Sequence, residues 1–170
     1  GIIYPHQNLT TVDEDKHTSV SIWIPIQDTN TQNGTLYFLP KSHGRYEPYR
    51  NSNIHWAPMN ASSKIEDYKM VAVNLKVGQV LVFDDSIVHG SPDNESANDR
   101  FVFHYIAIPK ETNPIFCQKI NDVVNLIEVD DLFWQNYTPG DVDPESPIIK
   151  TVAYKTKVYT KETLLNEMDF

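Results

Sequence analysis

Strict alternation of side chains over residues 19–26, SVSIWIPI, constrains the fold more than any other feature of the chain. Val20, Ile22 and Ile24 fall on one face of an extended backbone and Ser21 and Trp23 on the other, as in a half-buried β-strand. Short helices are predicted only at 130–137 and 160–170. Further strand-like segments, separated by turn residues, are 35–39, 69–75, 76–85 (a turn, then a strand), 100–108 and 122–129. Many short strands with almost no long helix predict an all-β sandwich or barrel.

The composition narrows the class of protein. A chain of 170 residues that is 40% hydrophobic is long enough for one domain with a core. A net charge of −9 argues against a nucleic-acid-binding surface and against an anionic membrane partner. The single cysteine, Cys117, excludes an intrachain disulfide and favours a reducing, cytoplasmic location. The sequence indicates no oligomeric state.

The first candidate site residue, His6, lies unusually close to the start of the chain. We therefore expect this chain to be a fragment of a longer protein, with strands or helices missing upstream. Within it we expect one domain over residues 1–170. Its core would span 5–109 and be followed by a C-terminal extension, 110–170.

Two histidines and an arginine are the residues with the clearest chemical meaning. His6 and Asn8 are two positions apart, so an extended backbone sends both side chains to the same side. His89 follows an apolar strand, and Arg100 begins the next strand, where a guanidinium can clamp a carboxylate through two hydrogen bonds. Two histidines with one carboxylate form the facial triad that holds Fe(II) and leaves three positions open. Asn8 stands where that carboxylate is needed.

Each of these residues alone is more often a surface or packing residue, but the combination is specific. The pattern is His6-Gln7-Asn8, Trp23, Asn33-Gly34-Thr35-Leu36, Pro40-Lys41-Ser42-His43, Gly78-Gln79 leading to Phe83, His89-Gly90-Ser91 and Arg100. Over about residues 5 to 109 it resembles the phytanoyl-CoA dioxygenase family. Members of that family are Fe(II)- and 2-oxoglutarate-dependent oxygenases built on a double-stranded β-helix, a cupin-like jelly roll.

The resemblance implies a role for each matched residue. His6, Asn8 and His89 would hold Fe(II), and His6, His89 and Arg100 would form the catalytic set. Arg100, assisted by Ser91, would bind the distal carboxylate of 2-oxoglutarate, and Trp23 would line the cosubstrate pocket. The implied function is hydroxylation of a small organic substrate, whose identity the sequence does not give.

The chain departs from the family pattern at Asn8, where the family has aspartate, and at Lys41, where it has glycine. The resemblance does not cover the upstream region of the family, which we expect to precede this chain in a longer protein. Four explanations of Asn8 stay open: an amide ligand suffices, one of the acids at 13–15 replaces the carboxylate, an anion fills the position, or the site is impaired. In the last case the protein would be a non-catalytic β-sandwich that binds a small dicarboxylate.

The other histidines and aromatic residues have weaker signals. His43 is expected to stabilise a turn, and surface or core positions are preferred for His17, His55 and His104. Aromatic residues of the loop at 44–68 and of the segment at 133–134 are candidate pocket walls or lids, although simple packing explains them equally well. These aromatic residues are Tyr46, Tyr49, Trp56, Phe133 and Trp134.

Overall fold

In the computed structural model, the described residues are 1–51, 54, 68–138, 146–155, 157 and 160. This part of the chain is nearly all β, with one short helix. Its elements are β1 (Ile3–His6), β2 (Val20–Pro25), β3 (Leu36–Phe38), β4 (Val71–Val73), β5 (Leu81–Asp84), β6 (His89–Ser91), β7 (Val102–Ala107), β8 (Ile115–Ile120), β9 (Val123–Glu128), α1 (Asp131–Asn136) and β10 (Ile148–Ala153).

The strands form antiparallel sheets with the orders β1-β6-β3-β4, β5-β2-β7 and β10-β9-β8. The first two sheets pack on each other through one buried cluster. Its members are Trp23, Leu36, Phe38, Leu75 and Phe83. Two packed antiparallel sheets with crossing connections are the architecture of a jelly roll, so the prediction of a double-stranded β-helix is confirmed.

Strand β2 shows the predicted alternation, and its buried face is the one that carries Ser21 and Trp23. The opposite face of the sheet β5-β2-β7 is apolar and open to solvent, since Ile22 pairs with Val82 on one side and Tyr105 on the other. We call this surface the apolar outer face. Its most exposed members are Val80, Val82, Phe101, Phe103 and Tyr105, each more than half exposed.

The third sheet was only partly predicted. Strand β9 and helix α1 match the expected segments, and the Asp130 carboxylate caps α1 by accepting a hydrogen bond from the backbone N–H of Phe133. The sequence patterns missed β8 and β10. Strands β1 and β6 are corrections too, since their residues lie outside the predicted strand segments. The predicted helix at 160–170 lies outside the described residues except for Thr160.

Two tight turns depend on left-handed backbone conformations. Gly34 has φ of 76°, and a Cβ atom there would stand 3.0 Å from the carbonyl oxygen of Pro92. Lys41 has φ of 61°, so the lysine retains a conformation that suits glycine, at a cost of about 1 kcal/mol. The departure at Lys41 thus leaves the turn in place. None of the helices in the described part of the chain is long and apolar enough to span a membrane.

Candidate metal centre

His6 and His89 lie side by side because strands β1 and β6 pair in a register that sets them directly opposite each other. Their ring centroids are 4.4 Å apart. Gly90 permits this approach, since a Cβ atom there would stand 2.8 Å from the carbonyl oxygen of Ile3. The missing side chain at position 90 therefore brings the two imidazoles together.

Both imidazoles are held in the form that binds metal. His6 Nδ1 lies 2.9 Å from the carbonyl oxygen of Tyr4, and His89 Nδ1 lies 3.0 Å from that of Ile87. A carbonyl can only accept, so each Nδ1 carries the proton and each Nε2 keeps a free lone pair. Burial, together with the neighbouring His6, lowers the pKa of His89 to about 3. Burial also lowers the pKa of His6, against the opposing effect of its hydrogen bonds with Tyr4 and Asn8. Both rings are thus neutral at pH 7.

Asn8 lies next to His6 with its amide group fixed in one orientation. Its Nδ2 donates to Ser21 Oγ and to Asp85 Oδ1, each over 2.8 Å. A carboxylate only accepts hydrogen bonds, so the nitrogen must face Asp85 and the amide oxygen must face away from it. On that other side the Asn8 side chain lies next to the His6 ring, whose pKa it raises. The amide oxygen therefore lies beside the paired imidazoles.

Asp85 and His104 complete a polar cluster behind Asn8. Asp85 is fully buried; its Oδ1 accepts from Ser21 Oγ at 2.5 Å, and its Oδ2 has no hydrogen-bond partner in the described part of the chain. His104 Nε2 lies 2.8 Å from Ser21 Oγ. Sequence reasoning missed Asp85 and assigned His104 to the surface or core. The four-residue spacing from Arg100, which puts His104 on the same face of a strand, was an available signal.

The three acids considered as replacements for a carboxylate at position 8 form ion pairs elsewhere. Asp13 pairs with Lys16 and Lys150, Asp15 pairs with Lys150, and Glu14 pairs with Arg50. Across the described residues, no three His, Cys, Asp or Glu side chains converge closely enough to share a metal ion. The nearest set for an ion is therefore two imidazoles and one amide.

Arg100 lies against the ring of Trp23, which belongs to the buried cluster between the first two sheets. Arg100 Cζ is 5.4 Å from the centroid of the Trp23 ring, and Arg100 Nε is buried without a partner among the described residues. Burial lowers the pKa of Arg100. Phe83 connects the two regions: its ring is 5.0 Å from that of His89, and it shares a buried cluster with Trp23. Ser91 is buried, and its hydroxyl donates to the carbonyl oxygen of Gly34 over 2.7 Å.

A cavity of about 590 Å³ opens next to Asn8 and His104. Its walls are largely apolar and include Leu9, Ile106, Ile108 and Trp134. The Trp134 indole N–H is buried and has no partner in the described part of the chain.

The other aromatic candidates are distributed differently. Phe133 packs on Phe116, Tyr49 packs on Tyr154, and Tyr46 is buried. Of the minor histidines, His43 is exposed and His17 is partly buried. Trp56 and His55 lie outside the described residues.

A jelly roll that sets two neutral histidines side by side with an amide next to them, and an arginine against a core tryptophan, defines a candidate non-haem metal protein. The model of the phytanoyl-CoA dioxygenase (PhyH) family matches residues 1–102, and the chain belongs to this family.

Similar proteins agree with that assignment. The chain is 28% identical over 115 residues to a phytanoyl-CoA dioxygenase domain-containing protein 1 homolog of Dictyostelium discoideum, covering 62% of this chain and 41% of the relative. It is 25% identical over 105 residues to a phytanoyl-CoA dioxygenase of Arabidopsis thaliana, covering 61% of this chain and 37% of the relative. The chain thus spans about two fifths of the length of these relatives.

Solved structures support the fold. The structure of the epimerase SnoN in complex with Fe3+, alpha ketoglutarate and nogalamycin RO superposes with a TM-score of 0.54 at 16% identity. The superposition covers 88% of this chain and 54% of SnoN. At this identity the likeness concerns the fold alone.

Proposed function

We propose that this chain carries the metal and cosubstrate site of an Fe(II)- and 2-oxoglutarate-dependent oxygenase that hydroxylates a small organic substrate. The observation that carries the proposal is the cross-strand pair of His6 and His89, each with Nδ1 on a backbone carbonyl, which leaves the lone pair on each Nε2 for a metal ion. Two neutral imidazoles beside an amide oxygen fit a divalent iron ion. Iron and 2-oxoglutarate, when bound, supply the oxidising chemistry that amino-acid side chains lack.

In this proposal the residues of the chain bind and orient the metal ion and 2-oxoglutarate. His6, His89 and Asn8 would hold the ion. Arg100, whose Nε has no partner among the described residues, would hold the distal carboxylate of 2-oxoglutarate. Ser91 would assist after its hydroxyl turns from Gly34, and Trp23 would form one wall and fix the guanidinium through its ring.

The cavity beside Asn8 is the proposed substrate pocket. Its volume of about 590 Å³ suits a small organic molecule, and its apolar walls would exclude water from the site. The unpartnered indole N–H of Trp134 supports a substrate that offers a hydrogen-bond acceptor there. We also propose a cytoplasmic location, because the only cysteine, Cys117, is buried and carries no disulfide.

An anaerobic titration tests the oxygenase proposal. The full-length protein, mixed with 2-oxoglutarate, is titrated with Fe(II) while the weak visible charge-transfer absorption of a chelated complex is followed. We expect the absorption in the wild type and its loss in His6→Ala. The matched control is His43→Ala, which removes an exposed imidazole and should leave the absorption unchanged. A wild type with neither the absorption nor succinate formation would contradict the proposal.

A second candidate is a binding module that holds a small dicarboxylate without turnover. The observation that favours it is the neutral amide of Asn8, whose nitrogen already donates to Ser21 and Asp85. The same protein separates the two candidates. Metal-free binding of 2-oxoglutarate that is lost in Arg100→Ala but unchanged in His6→Ala would support the binding module and count against the oxygenase.

A further inference from the structure

We propose that Asp85 supplies the negative charge that a metal ion at His6 and His89 requires, and that it acts through the side chain of Asn8. The inference rests on the proposed metal site. Asp85 is then a positioning residue, whereas Asn8 is the group that touches the ion. In this arrangement the negative charge does not lie on the metal ligand itself but on a carboxylate that is hydrogen-bonded to that ligand.

The burial of Asp85 is the first step of the argument. The side chain is fully buried, and Oδ2 has no partner in the described part of the chain. No described lysine or arginine forms a salt bridge with it. A buried carboxylate without a cation is costly, because its loss of hydration is not compensated. A divalent ion on the far side of Asn8 would provide the missing positive charge.

The orientation of Asn8 is the second step. Its amide nitrogen donates to Asp85 Oδ1 over 2.8 Å, so its oxygen is turned toward His6. Donation to a carboxylate polarises an amide and increases the negative charge on its oxygen. The arrangement is analogous to metal-bound histidines whose second nitrogen donates to a carboxylate that orients the ring and strengthens it as a ligand.

Two further contacts hold the carboxylate in place. Ser21 Oγ donates to the same Oδ1 at 2.5 Å, and the backbone N–H of Asn8 donates to the backbone carbonyl of Asp85 over 3.0 Å. His104 Nε2 lies 2.8 Å from Ser21 Oγ and can supply a proton to that oxygen. Asp85 is thereby kept behind Asn8. Since Asp85 does not join His6 and His89 in a three-ligand cluster, the structure favours action through the amide over direct ligation.

The test transfers the carboxylate from position 85 to position 8 by substitution. Calorimetry then measures the binding of Mn(II) to the full-length protein. We expect Asp85→Asn to weaken Mn(II) binding by about tenfold or more, the loss typical of a carboxylate that supports a metal ligand. Adding Asn8→Asp in the Asp85→Asn background restores one carboxylate at the site, so the affinity should return to within about threefold of the wild type.

A neighbouring acid gives the matched control. Asp84→Asn removes the same charge one position earlier, where the carboxylate accepts hydrogen bonds from Ser86, and it should leave Mn(II) affinity unchanged. Thermal unfolding of each metal-free variant monitors the fold. A purely structural role of Asp85 would lower the unfolding temperature, but it would not produce recovery of metal affinity in the double variant.

Each of the remaining outcomes would overturn the inference about Asp85. Unchanged Mn(II) affinity in Asp85→Asn, with a wild type that binds, overturns this inference and leaves the metal site intact. Loss in Asp85→Asn without recovery in the double variant also overturns it. Binding that survives Asn8→Ala but not Asp85→Asn would show that Asp85 ligates the ion directly. A wild type that binds no Mn(II) overturns the metal site and, with it, the role of Asp85.

Discussion

The carboxylate of Asp13 illustrates, at the scale of one residue, how an acid close in sequence to the site is kept out of it. Asp13 is almost fully buried and lies 3.2 Å from the ammonium group of Lys16 and 3.3 Å from that of Lys150. Burial alone would raise the pKa of Asp13, but the hydrogen bonds and charges of the two lysines outweigh burial and lower it. The folded state therefore favours the ionised carboxylate.

This lowered pKa predicts a pH-dependent contribution to stability. The stabilisation is complete above the ordinary pKa of 3.8 and is lost as the pH falls through the lower value of the folded state. We expect Asp13→Asn to reduce the free energy of unfolding by about 1 kcal/mol at pH 7, with the difference shrinking as the pH falls below 3.8. Urea unfolding at a series of pH values through this range measures it. Glu111→Gln, an exposed change of equal charge, is the control, and a difference that is constant with pH would contradict the prediction.

Sequence reasoning located the site residues that belong to short motifs and missed those that only folding brings in. His6 and Asn8 could be paired because they are two positions apart on an extended segment. Asp85 could not be linked to Asn8, since 77 positions separate them and their contact arises where the ends of β1 and β5 meet. The roles of His6, Asn8, His89, Arg100, Trp23 and Ser91 stay predictions.

At the scale of elements, the pairing of β1 with β6 determines whether the site forms. Gly90 faces the backbone of β1, and an added Cβ atom would meet Ile3 O at 2.8 Å and Pro5 N at 3.2 Å. Both of these are backbone atoms, which cannot turn aside as the end of a side chain can. A methyl group at position 90 must therefore push β1 away from β6 and move His6 from His89.

Gly90→Ala should consequently damage metal binding as well as stability. We expect a loss of about 1–3 kcal/mol in the free energy of unfolding from overpacking, and at least about tenfold weaker Mn(II) binding because the two imidazoles separate. Chemical denaturation and calorimetry measure the two effects. The matched control is Gly44→Ala, where the added methyl group meets open space but the φ of 67° still imposes strain. Equal losses of metal affinity in both variants would contradict the argument.

The elements show the same division between local and long-range information. Alternation in residues 19–26 predicted a strand, but both faces of β2 carry apolar side chains, so the pattern could not tell which face is buried. Strands β8 and β10 were missed because IFCQKI and IIKTVA lack clear alternation. Both strands are stabilised by antiparallel pairing with β9, one on each side of it. The β8 pairing begins with Ile115 opposite Glu128, and the β10 pairing begins with Ile148 opposite Ile127.

At the scale of the whole molecule, the apolar outer face exposes several large hydrophobic side chains to solvent. Val82 lies beside Ile22 across the sheet, and Phe103 and Tyr105 stack with ring centroids 6.4 Å apart, yet Val82, Phe103 and Tyr105 are each more than half exposed. Contiguous apolar surface of this kind is uncommon on a soluble monomer and promotes association.

The 170-residue chain on its own should therefore self-associate. We expect its apparent mass in sedimentation to rise with concentration, and the double variant Val82→Lys/Phe103→Lys to remove this dependence by placing charges on the face. Leu132→Lys, at an equally exposed position on α1, is the control and should not change the behaviour. A wild-type mass that is independent of concentration would contradict the prediction.

The position of β1 at the edge of its sheet determines how firmly this strand is held. Among the described strands, β1 has one hydrogen-bonded neighbour, β6, and their ladder is interrupted between Ile3 and His6. An edge strand held on one side opens more readily than an interior strand. Any ligand that bridges His6 and His89 would act as a clasp between the two strands. Binding of a ligand at the site and opening of β1 from β6 would then be coupled, so that a bound ligand reduces fraying of this edge.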